Sequence, residues 1–422
     1  MTDSHTDAVQ ADAALDFCPL MANYGAPTVT LVVGKGTEVW DITGKRYLDF
    51  LGGLAVTSLG HSNPVVADAI SAQAHTLSHV SNLYNTVPGP EVALMLDKLI
   101  QTFPETAMTP GSAPAGSEPP RQLGQVLFQN SGAEANEAAI KLARKFNGRG
   151  RHVVLSALRS FHGRTLATLH ATGQPEKHEP FQPLPEGFRH AAFDDVSAME
   201  AAVDDTVGAI LVEPIQGEGG VNTPSANYLA DLRDLCDDRS LLLIVDEIQT
   251  GIARTGAWFG FQHAGIMPDI VTMAKGLGNG MPIGAVWAKR DVAEAFKPGD
   301  HGSTFGGQPL AAAAARAVLT EMIRIDGPAL AKTRGAELTD YLLAIPGVVD
   351  VRGAGLLVAA ELTDDILRGR TAAQISSACG DAGLLINGVT KTSLRFAPPL
   401  TVSTEEIDEA ADILAGVLEG EG

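Results

Sequence analysis

Cysteine is scarce. The 422 residues contain three, Cys18, Cys236 and Cys379, far apart and never in a Cys-x-x-Cys spacing. That excludes a disulfide framework and a cysteine-based zinc site, and a reducing compartment is the expected setting. Positive charge is in deficit too: 30 basic against 50 acidic residues leave a formal charge of −20. Nucleic acid and anionic membrane, both polyanions, are therefore poor partners. An anionic substrate is not excluded, because local arginines reverse the field inside a pocket. No uninterrupted apolar run reaches the roughly 18 residues of a membrane span. The acidic start MTDSHTDAVQADAALDF lacks the basic-then-apolar order of a secretory signal. The cytoplasm is the expected location.

What is present is ample material for a core. At 44.0 kDa with 45% hydrophobic residues, the chain has room for one large domain and a smaller one. Residues 28–50 read as short strands, with a turn at Asp41-Ile42-Thr43-Gly44, and Asn63-Pro64 reads as the cap and first residue of a helix. From about 90 to 290, helices alternate with short apolar runs: QVLFQN, HVVLS, AILVEP, LLLIVD, DIVTMAK and PIGAVWA. This alternation predicts an α/β fold with a mostly parallel central sheet covered by helices. A long helix follows Pro309, and the remainder reads as a smaller α+β domain. The expected division is a flexible tail at 1–14 and a segment at 15–75 that joins the small domain. A large domain spans 76–310, with a flexible insertion at 104–120, and the small domain proper spans 311–422.

Two of the apolar runs end in reactive side chains. LLLIVDEIQTG (241–251) delivers Asp246, Glu247 and Gln249; VTMAKGLGNG (271–280) delivers Lys275 just before glycines. A lysine that forms an imine with an aldehyde, and a carboxylate that keeps a ring nitrogen protonated, are what a pyridoxal phosphate site needs. A half-buried lysine has a lowered pKa and becomes a nucleophile and proton shuttle. In NSGAEANEAAIK (130–141), a glycine turn puts the amides of Gly132 and Ala133 at a helix start, where a phosphate dianion binds well. In SFHGRT (160–165), Phe161 offers a face for a ring and Arg164 a fork for a carboxylate. VEPIQGEGG (212–220) carries Glu213 at a strand end and Glu218 among glycines. HGSTFGG (301–307) offers Ser303 and Thr304, and SLRFAPPL (393–400) holds Arg395 in an otherwise apolar run, where a charge is costly unless paired. Each segment alone also fits a bland reading: a capped helix, a core phenylalanine, a solvated loop carboxylate, a structural ion pair. His162 reads as an ordinary hydrogen-bonding histidine.

Together, in this order, the segments resemble the class III (ω-amino acid) aminotransferases of the pyridoxal phosphate fold type I, over about residues 20 to 415. Within that family the motifs lie nearest the members that use N2-acetylornithine. The resemblance implies that Lys275 is the Schiff-base lysine, that Asp246 pairs with the pyridine nitrogen, and that Gln249 contacts the phenolic oxygen. It implies that Phe161 stacks on the ring and that Gly132 and Ala133 hold the phosphate. Thr304 would reach in from a second subunit, and a homodimer with shared active sites would be the minimal unit. Arg164 would take the substrate carboxylate remote from the reacting amine, helped by Ser303. Arg395 and Glu218 would form a pair that opens for a dicarboxylate. The implied activity is transfer of an amino group from N2-acetylornithine to 2-oxoglutarate, as in arginine biosynthesis. Ornithine, succinylornithine, 4-aminobutyrate and a carrier-linked lysine stay open as donors, as does a pyridoxal phosphate aminomutase. The chain departs from the family's pattern at Asn279, Asn85 and Val87.

Overall fold

The computed structural model describes residues 29–103 and 124–420, together with 21, 23 and 24. The 1–14 tail, Cys18 and the 104–120 insertion lie outside the described residues.

Chain order gives β1 (Leu31–Lys35), β2 (Glu38–Asp41), β3 (Arg46–Asp49), β4 (Gly124–Gln129), β5 (Val153–Ala157), β6 (Phe188–Ala191), β7 (Val207–Val212), β8 (Leu242–Asp246), β9 (Ile270–Met273) and β10 (Gly284–Lys289). The smaller part adds β11 (Val348–Ala354), β12 (Leu357–Leu362), β13 (Leu384–Leu385), β14 (Asn387–Gly388) and β15 (Ser393–Phe396). The central sheet runs β4-β10-β9-β8-β7-β5-β6. The ladders from β9 to β6 are parallel, whereas β10 is antiparallel to both its neighbours. Its central strands β7, β8 and β9 are almost wholly apolar and fully buried because both faces are covered. The pleat sends alternate residues into two cores. Val153, Leu155, Ile210, Val212, Leu243 and Val245 enter one. Val154, Ala209, Leu211, Leu242 and Ile244 enter the other, beneath the Gly132–Asn147 helix.

That helix begins where β4 ends. Ser131 caps it by accepting from the Glu134 amide, and Ala135, Ala138, Ala139 and Leu142 form its buried stripe. The Pro64–Thr76 helix is capped by Asn63, whose side chain accepts from the amides of Val65 and Val66. The Pro309–Arg324 helix packs on the Pro64–Thr76 and Pro88–Ile100 helices through buried alanines at 311–315, which permit close approach. β13 pairs with β3 in parallel, so the N-terminal sheet is completed by a strand from near the C-terminus. The smaller sheet runs β11-β12-β15-β14 and holds Arg395 in β15. Among the described residues no helix is long and apolar enough to cross a membrane.

A histidine trio supports the segment that carries Phe161 and His162. His170, His178 and His190 lie ring against ring, and each spends a ring nitrogen on a backbone carbonyl: Pro185, Thr172 and His170 respectively. The neighbouring Thr172 hydroxyl accepts the His162 amide. Burial pushes His190 down from 6.5 to about 4, with the other histidines adding. A depressed folded pKa means that this stability is present above pH 6.5 and is lost as pH falls toward 4. Its size is at most about 3 kcal/mol. Urea unfolding at pH 7 and pH 4.5 should show a smaller acid loss for His190→Gln than for the wild type; equal losses would refute the assignment.

Candidate active site

A cavity of about 400 Å³ opens at the carboxyl ends of β8 and β9, where open α/β sheets place their ligands. Gly132, Ala133, Phe161, Arg164, Glu218, Asp246, Gln249 and Lys275 line it, as do Glu213 and His162. Ser303, Thr304 and Arg395 are not among its lining residues.

Asp246 ends β8 and is 4% exposed. Its Oδ2 accepts from Asn136 Nδ2 (2.8 Å) and His162 Nδ1 (2.7 Å), and its Oδ1 accepts from the Ile248 amide (3.0 Å). The carboxylate is thus fixed from three directions. Neither Asn136 nor His162 was among the sequence candidates. Asn136 had one signal, a polar residue on the buried stripe of its helix. In the sequence His162 reads as an ordinary hydrogen-bonding histidine, and hydrogen bonding is what it does here, toward Asp246.

Lys275 does not continue β9, which stops at Met273. It opens a short turn with φ of 43°, a left-handed conformation uncommon for a side chain of this size. Its amine makes no hydrogen bond among the described residues. Burial holds its pKa below the usual lysine value, against the pull of Glu218, Asp246 and Glu213. An amine shifted in that direction and facing a cavity is a better nucleophile and base. Glu213, at the end of β7, accepts the Phe161 amide (3.1 Å) and so fixes that ring's backbone. Burial, with Asp246 nearby, pushes the Glu213 carboxyl well above the usual carboxylate range.

At the helix start, Gly132 and Ala133 lie in the first turn, where amides have no intrahelical acceptor. A Cβ on Gly132 would lie 2.7 Å from Ile248 Cδ1, so a larger residue there would have to displace the Ile248 side chain. The cavity therefore holds free helix amides, a fixed carboxylate, an aromatic face and an unbonded lysine. These are the features that the phosphate, pyridine nitrogen, ring face and aldehyde of pyridoxal phosphate require, and the residues present fit the group.

Arg395 is 1% exposed. Its Nη1 donates to Glu218 Oε1 (2.6 Å), to the Gly217 carbonyl (3.1 Å) and to Gln249 Oε1 (3.3 Å), and its Nε to Asn387 Oδ1 (3.2 Å). Its Nη2 is buried and has no acceptor among the described residues. Burial opposes the Glu218 charge, but Arg395 and Lys275 outweigh it and hold that pKa below the usual value. Gln249 Nε2 also donates to Glu218 (3.3 Å), which uses one of its two N–H groups. Arg164 is exposed, its guanidinium 5.3 Å from the Phe161 ring centroid. Ser303 Oγ accepts from Asn130 Nδ2 (3.0 Å) and the Gly306 amide (2.9 Å). Thr304 and Phe305 are exposed.

The chain belongs to the class-III aminotransferases, whose family description matches residues 21–418. It is similar to the acetylornithine aminotransferase of Caldanaerobacter subterraneus subsp. tengcongensis, 46% identical over 94% of this chain and 97% of that one. The acetylornithine aminotransferase of Mycolicibacterium smegmatis is 43% identical over 95% and 96%. Among solved structures, an ornithine aminotransferase from Toxoplasma gondii ME49 superposes with a TM-score of 0.85 at 33% identity, covering 96% of this chain and 93% of that chain. The N-acetylornithine aminotransferase from Stenotrophomonas maltophilia K279a gives 0.78 at 33%, covering 95% and 98%. The architecture is accordingly that of the fold type I aminotransferases.

Proposed function

We propose that the protein transfers the terminal amino group of N2-acetylornithine to 2-oxoglutarate, giving N-acetylglutamate 5-semialdehyde and glutamate, with pyridoxal phosphate as cofactor. Relatives named for acetylornithine, at 42% to 46% identity over nearly the whole chain, support the donor. Arg395 carries the reading structurally: a buried guanidinium, covered by Glu218 and left with one spare donor.

Bound in the cavity, pyridoxal phosphate supplies an aldehyde carbon that carries the amino group and a pyridinium ring that accepts electrons. The amides of Gly132 and Ala133 hold its phosphate, Phe161 covers its ring, Asp246 keeps its ring nitrogen protonated, and Gln249 faces its phenolic oxygen. Lys275 provides the attachment point. Its amine would take the proton from the substrate carbon that bears the reacting amino group and carry it between substrate and cofactor. Thr304 and Ser303, from a second copy of the chain, complete the phosphate and substrate sites. The homodimer is then the minimal active unit, and the exposure of Thr304 and Phe305 in the single chain is consistent with that.

Two molecules must use this cavity in turn. The acetyl group removes one amine of ornithine from reaction, so only the terminal amine attacks, and Arg164 takes the remote carboxylate. This donor has no carboxylate at the reacting carbon, and Glu218 covers Arg395 while it is bound. A bare buried guanidinium would be expensive. Glutamate and 2-oxoglutarate do carry that carboxylate, and for them the pair opens.

The test is the visible absorbance of the holoenzyme. N2-acetylornithine should abolish the cofactor band, and 2-oxoglutarate should restore it. A response to ornithine or 4-aminobutyrate but not to N2-acetylornithine would reassign the donor. Turnover without any keto acid would point to an aminomutase. Glu218→Ala should shift the ratio of half-reaction rates toward glutamate by about tenfold, because Arg395 is left permanently open. An unchanged ratio would remove the switch.

A further inference from the structure

The two members of the Glu218–Arg395 pair are not equally free. Arg395 sits within β15 and is tied to the Gly217 carbonyl, Gln249 and Asn387 as well as to Glu218. Its side chain is 1% exposed, against 29% for Glu218. Glu218 also stands between Gly217 and Gly219, on backbone that turns easily. When the pair opens, the carboxylate is therefore the part that moves. A carboxylate taken off its cation needs a new partner, or the opening is costly.

A second cavity, about 390 Å³, adjoins the first and has Glu218 as a shared wall. Arg159, Gln174, Pro175 and Glu176 also line it, and Lys177 does not. Lys177 closes the short turn Pro175–Lys177, and its ammonium lies 6.0 Å from the centroid of Phe161, a wall of the first cavity. Among the described residues the Lys177 ammonium has no hydrogen bond and no ion pair. Burial and then the adjacent Arg164 charge push its pKa down, while Glu176 and Glu218 pull it back. An ammonium partly withdrawn from water, beside a guanidinium and without a bonded carboxylate, is poorly compensated in this state. The state in which Glu218 has left Arg395 would compensate it.

We infer that Lys177 is the landing site for Glu218: when a dicarboxylate occupies Arg395, the Glu218 side chain swings off it and pairs with Lys177, beside the second cavity. This rests on the switch proposed above and deepens it. The consequence is selective. Lys177 lowers the cost of opening, so it assists ligands that need Arg395 and is idle for those that do not. Two other roles are distinguishable. If Lys177 instead helped Arg164 hold the remote carboxylate, it would assist every carboxylate ligand. If Arg159 were the landing cation, Lys177 would be dispensable.

Calorimetric titration of the holoenzyme with glutarate and with pentanoate tests this. Neither ligand reacts. Glutarate has carboxylates at both ends, and pentanoate has only the remote one. The wild type should prefer glutarate. Lys177→Met should weaken glutarate about three- to tenfold and leave pentanoate unchanged, and Lys177→Arg should restore it. In a Glu218→Ala background, Lys177→Met should have no effect on glutarate, since nothing remains to land. Equal weakening of both ligands would overturn the proposal, as would a selective loss in Arg159→Gln but not in Lys177→Met. A wild-type preference for glutarate that ignores Lys177 removes only the landing site. No wild-type preference removes the switch itself.

Discussion

Lys275→Ala is expected to lower kcat by at least about 10⁴-fold, because the attachment point and the proton carrier are lost together. The fold should survive. Lys275 bonds to nothing among the described residues, and its backbone already sits at φ 43°. Removing a partly buried amine that bonds to nothing costs a fold little, so the change in unfolding free energy should stay within about 1 kcal/mol. Small primary amines separate the two lost roles. Methylamine should recover part of the proton-transfer rate in single turnovers, because a free amine can enter the space that the side chain vacates. A variant that keeps more than about a hundredth of wild-type kcat would contradict a proton-carrying role for this residue.

Asp246→Asn is expected to cost about 10³-fold in kcat with the cofactor still bound. The substitution keeps the shape and removes the charge. Without a negative partner the ring nitrogen loses its proton readily, and the ring accepts electrons poorly. The new amide also creates a local conflict. If its oxygen faces Asn136 Nδ2 and His162 Nδ1, its NH₂ group faces the Ile248 amide, a donor against a donor. That arrangement should destabilise the fold by about 1–3 kcal/mol. Denaturant unfolding and the visible spectrum read the two effects independently. Wild-type kcat in this variant would show that the charge of Asp246 is not used.

The sheet was legible because its strands are buried on both faces, so runs such as LLLIVD and HVVLS stand out as continuous apolar text. β6 was not singled out. It lies at the sheet edge and contains Arg189 and His190, whose polarity hides its strand character. The Gly327–Leu343 helix was also passed over, since Gly327, Pro328 and Gly335 interrupt its pattern. Strand direction leaves no mark on composition, so the antiparallel β10 could not be read in advance. In the site, Lys275 and Asp246 were legible because each interrupts an apolar run. Asn136 and His162 were not, because what gives them meaning is a carboxylate 110 and 84 residues away in the chain. The Glu218–Arg395 pair spans 177 residues and was expected through family resemblance rather than through local pattern.

The most direct measurement is reduction of the holoenzyme with borohydride, followed by proteolysis and mass spectrometry. The account predicts a single peptide carrying the reduced cofactor, with the modification on Lys275. An adduct on another lysine, or no adduct at all, would contradict it.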